Sequence, residues 1–172
     1  NGNIKLYDFS NGNVRTINNE SGSNGDFINQ EALDSNLDIL YSNYSSSSDF
    51  IVRMYRNIKS GTVTKTNIAD ASIMDSEPSA LTVSHYTTNQ SNLFIGLKNG
   101  KLIKIAGTTN TFPNNPIWTD ITGTDFVGSI SDIELGTNEN EIFVTMHNYG
   151  VQNIWYTADG GTTWVGKEGN LP

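Results

Sequence analysis

Residues 157–164, Thr157-Ala158-Asp159-Gly160-Gly161-Thr162-Thr163-Trp164, decide how this chain is read. A carboxylate followed by two glycines is a turn: Asp159 can accept backbone N–H groups across it, and Gly160 and Gly161 permit left-handed backbone. Thr157 and Thr163 flank the turn with the β-branched side chains that paired strands favour, and Trp164 brings about 150–250 Å² of aromatic surface to cover the hairpin base. Two short strands therefore meet here, at 152–157 and 163–167. Two more precede them, at 129–135 and 141–146, with turn-rich stretches at 136–140 and 147–150 between. Runs of apolar residues are short and rich in β-branched and aromatic types, and no helical periodicity interrupts them.

The same order occurs earlier in the chain, with strands predicted at 80–84, 92–96, 101–105 and 117–121 and an Asn99-Gly100 turn signal between the second and third. Matching landmarks are separated by 50 residues (Val83 to Ile133), 49 (Phe94 to Phe143) and 46 (Trp118 to Trp164). A period near ~50 residues built from four strands is the size of a propeller blade. A weaker copy runs through 31–34, 38–42, 50–55 and 62–68, and strands at 3–9 and 14–18 around Asn11-Gly12 supply only the outer hairpin of a blade. The expectation is an all-β fold, a β-propeller arc of four-stranded antiparallel blades. A partial blade covers 1–20, whole blades cover 26–70, 78–123 and 128–169, and 170–172 form a linker to a further blade. Propeller rings close with about four to eight blades, so the arc is expected to belong to a larger ring and the polypeptide to continue past Pro172. A two-sheet sandwich is the alternative arrangement of the same strands.

Composition narrows the function classes. The chain has 172 residues, 35% of them hydrophobic, and a formal charge of −8 from 18 acidic against 10 basic residues. That charge repels a phosphate backbone, and no Lys/Arg cluster offers a nucleic-acid footprint. The longest apolar runs are strand-sized, far from the ~20 residues of a membrane-spanning helix. There is no cysteine, hence no disulfide framework, thiolate nucleophile or thiolate metal site. With no initiator Met or leader-like segment at its start, Asn1 is expected to be a mature, trimmed or fragment terminus.

The octapeptide fits Ser/Thr-x-Asp-x-Gly-x-Thr-Trp, and on those residues the chain resembles the Asp-box (BNR-repeat) propellers. That family includes bacterial sialidases, xyloglucanase-like glycoside hydrolases, sortilin-type receptors and many surface proteins. The resemblance implies that Thr157, Asp159, Gly161, Thr163 and Trp164 form a structural element distant from the usual ligand face. It also implies a secreted or cell-surface setting. The preceding blade lacks the Asp-x-Gly core in its longer hairpin at 106–116, although Trp118 follows.

Catalytic signatures are sparse. A sialidase of this kind would carry an Arg-Ile-Pro motif and three convergent arginines. Only Arg15, Arg53 and Arg56 exist, and the last two, three apart on one strand, point to opposite faces. Asp132 and Glu134 stand at i and i+2 on a predicted innermost strand and so share one face, where they could line a channel or a ligand surface. Asp125 precedes that strand in a loop that could open onto the same side. These three are the candidate ligand-face residues; no catalytic residue and no metal ligand set is assigned. His85 and His147 have no companion at metal-ligand spacing. A structural calcium held by the abundant Asp and Asn side chains is a minor alternative without a specific loop to carry it, so no cofactor is assigned. Trp155 and Tyr156 adjoin on opposite faces of one strand.

The leading functional expectation is a non-catalytic module of an exported or cell-surface protein, a scaffold or an adhesion, carbohydrate- or protein-binding surface. Its partners would be the remaining blades, a carbohydrate or another surface protein, with no nucleic acid and no membrane span. One alternative is part of a glycoside hydrolase whose carboxylates are shared with other blades. Another is a sortilin-like peptide-binding receptor.

Overall fold

A computed structural model describes residues 3–111 and 115–169. The expected linker at 170–172 and the middle of the 106–116 hairpin lie outside the described residues. Among the described residues fourteen strands run in chain order: β1 Ile4–Tyr7, β2 Val14–Asn18, β3 Glu31–Asp34, β4 Ile39–Asn43, β5 Val52–Arg56, β6 Thr64–Ile68 and β7 Pro78–Val83. They continue with β8 Leu93–Leu97, β9 Leu102–Ala106, β10 Ile117–Asp120, β11 Ser129–Leu135, β12 Ile142–His147, β13 Ile154–Thr157 and β14 Val165–Gly166. No helix occurs among the described residues, so none is long and apolar enough to cross a membrane.

The strands form three four-stranded antiparallel meanders, β3–β6, β7–β10 and β11–β14, and one two-stranded sheet, β1–β2. Each four-stranded sheet is a propeller blade. The first strands of successive blades pack side by side, β3 on β7 and β7 on β11, and thus mark the inner edge of the arc.

Registers fix which positions correspond from blade to blade. In the middle blade Ala80 pairs with Gly96, Leu81 with Ile95 and Thr82 with Phe94. In the last blade Asp132 pairs with Thr145, Ile133 with Val144 and Glu134 with Phe143. A bulge lies just before the aligned stretch in both β7 and β11, so the extra residue does not disturb the correspondence. In the first blade the row is Leu33, Leu40 and Tyr55.

Because side chains alternate across a strand, each blade offers one apolar row to the blade before it and another to the blade after. Tyr41 and Met54 of the first blade close over Leu81, Ile95 and Ile103 of the second. Ala80, Phe94 and Leu102 on the far side of the second close over Ile130, Ile133, Val144 and Trp155 of the third. A smaller cluster joins Ile17 of β2 to Tyr55 and Ile58. Gly96 is required at the second interface, because a Cβ there would stand 2.4 Å from Ile130 Cγ2.

Candidate functional site

The octapeptide forms the β13–β14 turn, and its side chains build a closed hydrogen-bond set. Thr157 is buried; its hydroxyl donates to Asp159 Oδ1 at 2.7 Å and accepts the N–H groups of Asp159 at 3.2 Å and Gly161 at 3.1 Å. Asp159 in turn accepts the Thr163 N–H at 2.9 Å on Oδ1 and the Thr163 hydroxyl at 2.7 Å on Oδ2. The Thr163 and Thr157 hydrogen bonds hold the Asp159 carboxyl down at about 2. Thr157 is therefore a hub of the turn as well as a strand residue, a role its β-branched character alone does not announce.

The turn reaches beyond its own blade. Trp164 Nε1 donates to the Ile121 carbonyl at 3.0 Å, and its ring meets Phe126 edge-on at 4.9 Å. Gly161, at φ +94°, sits so close to Ile121 that a Cβ would lie 2.6 Å from Ile121 Cβ. The expected cover over the hairpin base is thus a clasp on the β10–β11 connection. Asp125 lies in that connection, exposed, in a depression shared with Thr163 and Trp164.

Asp132 and Glu134 are exposed on β11 and share a face, as their spacing requires. That face is the outer flank of the last blade, which also carries Phe143, Tyr156 and Val165. Phe143 stacks on Tyr156 at 4.8 Å, with Lys167 Nζ 5.3 Å from the Tyr156 ring. Together with Thr137 and Glu141 they line a shallow groove. At the matching positions of the middle blade stand Ala80, Thr82 and Phe94, where Phe94 is wholly buried by the next blade and Thr82 donates to the Ile133 carbonyl at 2.7 Å.

Glu139, in the β11–β12 turn, is a polar centre that the sequence does not single out. It pairs with Lys104 at 2.7 Å and accepts the Thr87 hydroxyl at 2.7 Å, the Ser84 hydroxyl and the Asn92 amide. Burial alone would push its carboxyl up, but these donors win and hold it at about 2. It clamps the last blade to the middle one.

The arginines do not converge. Arg15 donates to the carbonyls of Asn57 and Gly61, whereas Arg53 pairs with Glu20 and lies 3.4 Å above the Tyr44 ring. Arg56 is on the same strand, paired with Thr64 and Ile39. His85 stacks on Tyr86 at 4.0 Å, and His147 is exposed at the end of β12. Trp155 is buried in the core while Tyr156 faces the open flank. Among the described residues no group of three or more His, Asp or Glu side chains is placed to hold a metal ion.

No family model matches the chain, and no curated protein matches it in sequence. A luciferin-regenerating enzyme of solved structure superposes over 92% of this chain and 51% of its own, with a TM-score of 0.56 at 14% identity. This chain thus spans about half the length of that structure. The likeness is one of fold, and it agrees with blades of a propeller.

Proposed function

We propose that the chain is a stretch of a non-catalytic Asp-box propeller module of an exported or cell-surface protein, working as a scaffold or as a surface that binds carbohydrate or another protein. Its first partners are the remaining blades of the same polypeptide. The observation that carries this reading is where the polar side chains spend their hydrogen bonds. Asp159 and Thr157 are consumed in the turn, Glu139 and Lys104 tie two blades together, and Glu20 holds Arg53 and Lys65 of the first blade. Such side chains are already satisfied by the fold, which suits a scaffold better than acid–base work.

A second reading, a glycoside hydrolase site completed by other blades, has one specific support. Asp132 and Glu134 stand exposed where the middle blade has Ala80 and Thr82, and glycosidases work with carboxyl pairs. Assay of the source-length polypeptide against aryl glycosides and sialosides decides between them. The scaffold reading expects no turnover; turnover lost on Asp132→Asn or Glu134→Gln, with the fold intact, would establish the hydrolase.

A further inference from the structure

Three corresponding rows show how completely each blade is covered on its preceding side. On the first strand, Leu81 is 9% exposed and Ile133 1%, but Leu33 is 54% exposed. On the second strand Ile95 and Val144 are both 0% exposed, while Leu40 is only half-buried. On the third strand the difference vanishes: Ile103 and Tyr55 are 0% exposed and Trp155 7%. The first blade is covered like its siblings over its outer half and left open over its inner half.

What covers the outer half is β1–β2. Ile17, Ile4 and Leu6 pack with Tyr55 and Leu40, Arg15 holds the β5–β6 turn through the Asn57 and Gly61 carbonyls, and Lys65 Nζ donates to Asn18 at 2.7 Å. β2 leads through a connecting loop into β3, as β6 leads into β7 and β10 into β11. It therefore takes the place of a fourth strand, and β1 that of a third. Among the described residues β1 has a strand partner on one side, β2. Its other edge points where a second and first strand would lie, and unpaired edges recruit strands.

We propose that the exposed inner half of the first blade, around Leu33 and Leu40, is the seat of a two-stranded antiparallel hairpin that pairs with the free edge of β1 and completes a fourth blade. The occupant is polypeptide that enters β1 from its N-terminal side, because each of the other blades is one uninterrupted meander from first strand to fourth. The hairpin continues an interface already formed, with β1–β2 seated on the other half of the same face. Its two strands present apolar residues to Leu33 and Leu40, as Ala80 of β7 and Phe94 of β8 do toward the cluster of Ile133 and Val144 in the established contact. The Tyr55 hydroxyl, buried at the border of the two halves without a hydrogen-bond partner among the described residues, would receive one there. This inference rests on the reading that further blades are partners, and its test is blind to binding or turnover, so the two can fail separately.

The chain has no cysteine, which makes single-thiol labelling clean. Leu33→Cys is placed in three polypeptides: residues 1–172, the source-length protein with any other cysteines replaced, and that protein shortened to begin at Asn1. Each labelling rate is divided by the rate of the same polypeptide unfolded in urea. The expected result is free labelling in the first and third and a slowing of at least about tenfold in the second, as local protection gives. Free labelling in the source-length protein, or protection that survives removal of the residues before Asn1, overturns the proposal. Protection in residues 1–172 alone does so too, since a second copy would then be the cover. Hydrogen exchange at the β1 amides repeats the comparison without a substitution: slow exchange only where the preceding residues are present supports the hairpin, and equal exchange in all three polypeptides overturns it.

Discussion

Thr157 shows how much one hydroxyl can carry. It donates once and accepts twice within the turn, from a site that water barely reaches. Thr157→Val keeps the shape and β-propensity but strands two backbone N–H groups, a loss of about 1–3 kcal/mol. A urea titration followed by tryptophan fluorescence should show the midpoint fall, and an unchanged midpoint would mean that water replaces the hydroxyl. Gly161→Ala tests the other constraint. Its φ of +94° and the 2.6 Å approach to Ile121 Cβ make the alanine strained in backbone and blocked in space, at roughly 1–3 kcal/mol. Because Ile121 belongs to the connection between blades, the damage should spread to the packing of Trp164 on Phe126. A changed near-ultraviolet circular dichroism signal would report it.

Between elements the decisive group is Glu139, which draws donors from the middle blade onto a turn of the last. Its carboxyl and that of Asp159 are both held at about 2, below the ordinary 4.5 and 3.8. A depressed carboxyl stabilises the folded form above its unfolded value, and that contribution drains away as pH falls from about 4.5 through about 2. Acid unfolding should therefore steepen in this window, and Glu139→Gln should flatten part of it while lowering stability at neutral pH by roughly 1–3 kcal/mol. If the acid limb keeps its slope, the clamp is not what titrates. The meanders themselves were readable, since alternation and turn residues placed β3, β11 and the Asn99-Gly100 turn where the structure has them. The clamp was not: Asn138-Glu139-Asn140 has the composition of any loop, and only the approach of two blades brings Lys104, Ser84 and Thr87 to it. The outward reach of Trp164 was hidden for the same reason, because its partners Ile121 and Phe126 lie some forty residues away in sequence.

For the molecule as a whole, repetition makes position and environment separable. Phe94 and Phe143 occupy the same place in successive blades, each opposite the third residue of its aligned β7 or β11 stretch. Phe94 is 0% exposed beneath the next blade, whereas Phe143 is 39% exposed on the open flank. Sequence alone treats the two phenylalanines alike, and the face that Asp132 and Glu134 share was foreseeable, but not that this face would be the flank of the last blade. In the 172-residue chain Phe94→Ala should cost about 3–5 kcal/mol through the cavity it opens between blades. Phe143→Ala, which removes a ring from the surface, should stay within about 1 kcal/mol of the parent. Chemical denaturation of both variants gives the comparison directly. Equal costs would mean that the flank is already covered in solution, by a second copy or by a rearranged chain, and the arc of blades would then have to be drawn differently; unequal costs in the stated order fix the direction in which the arc is open.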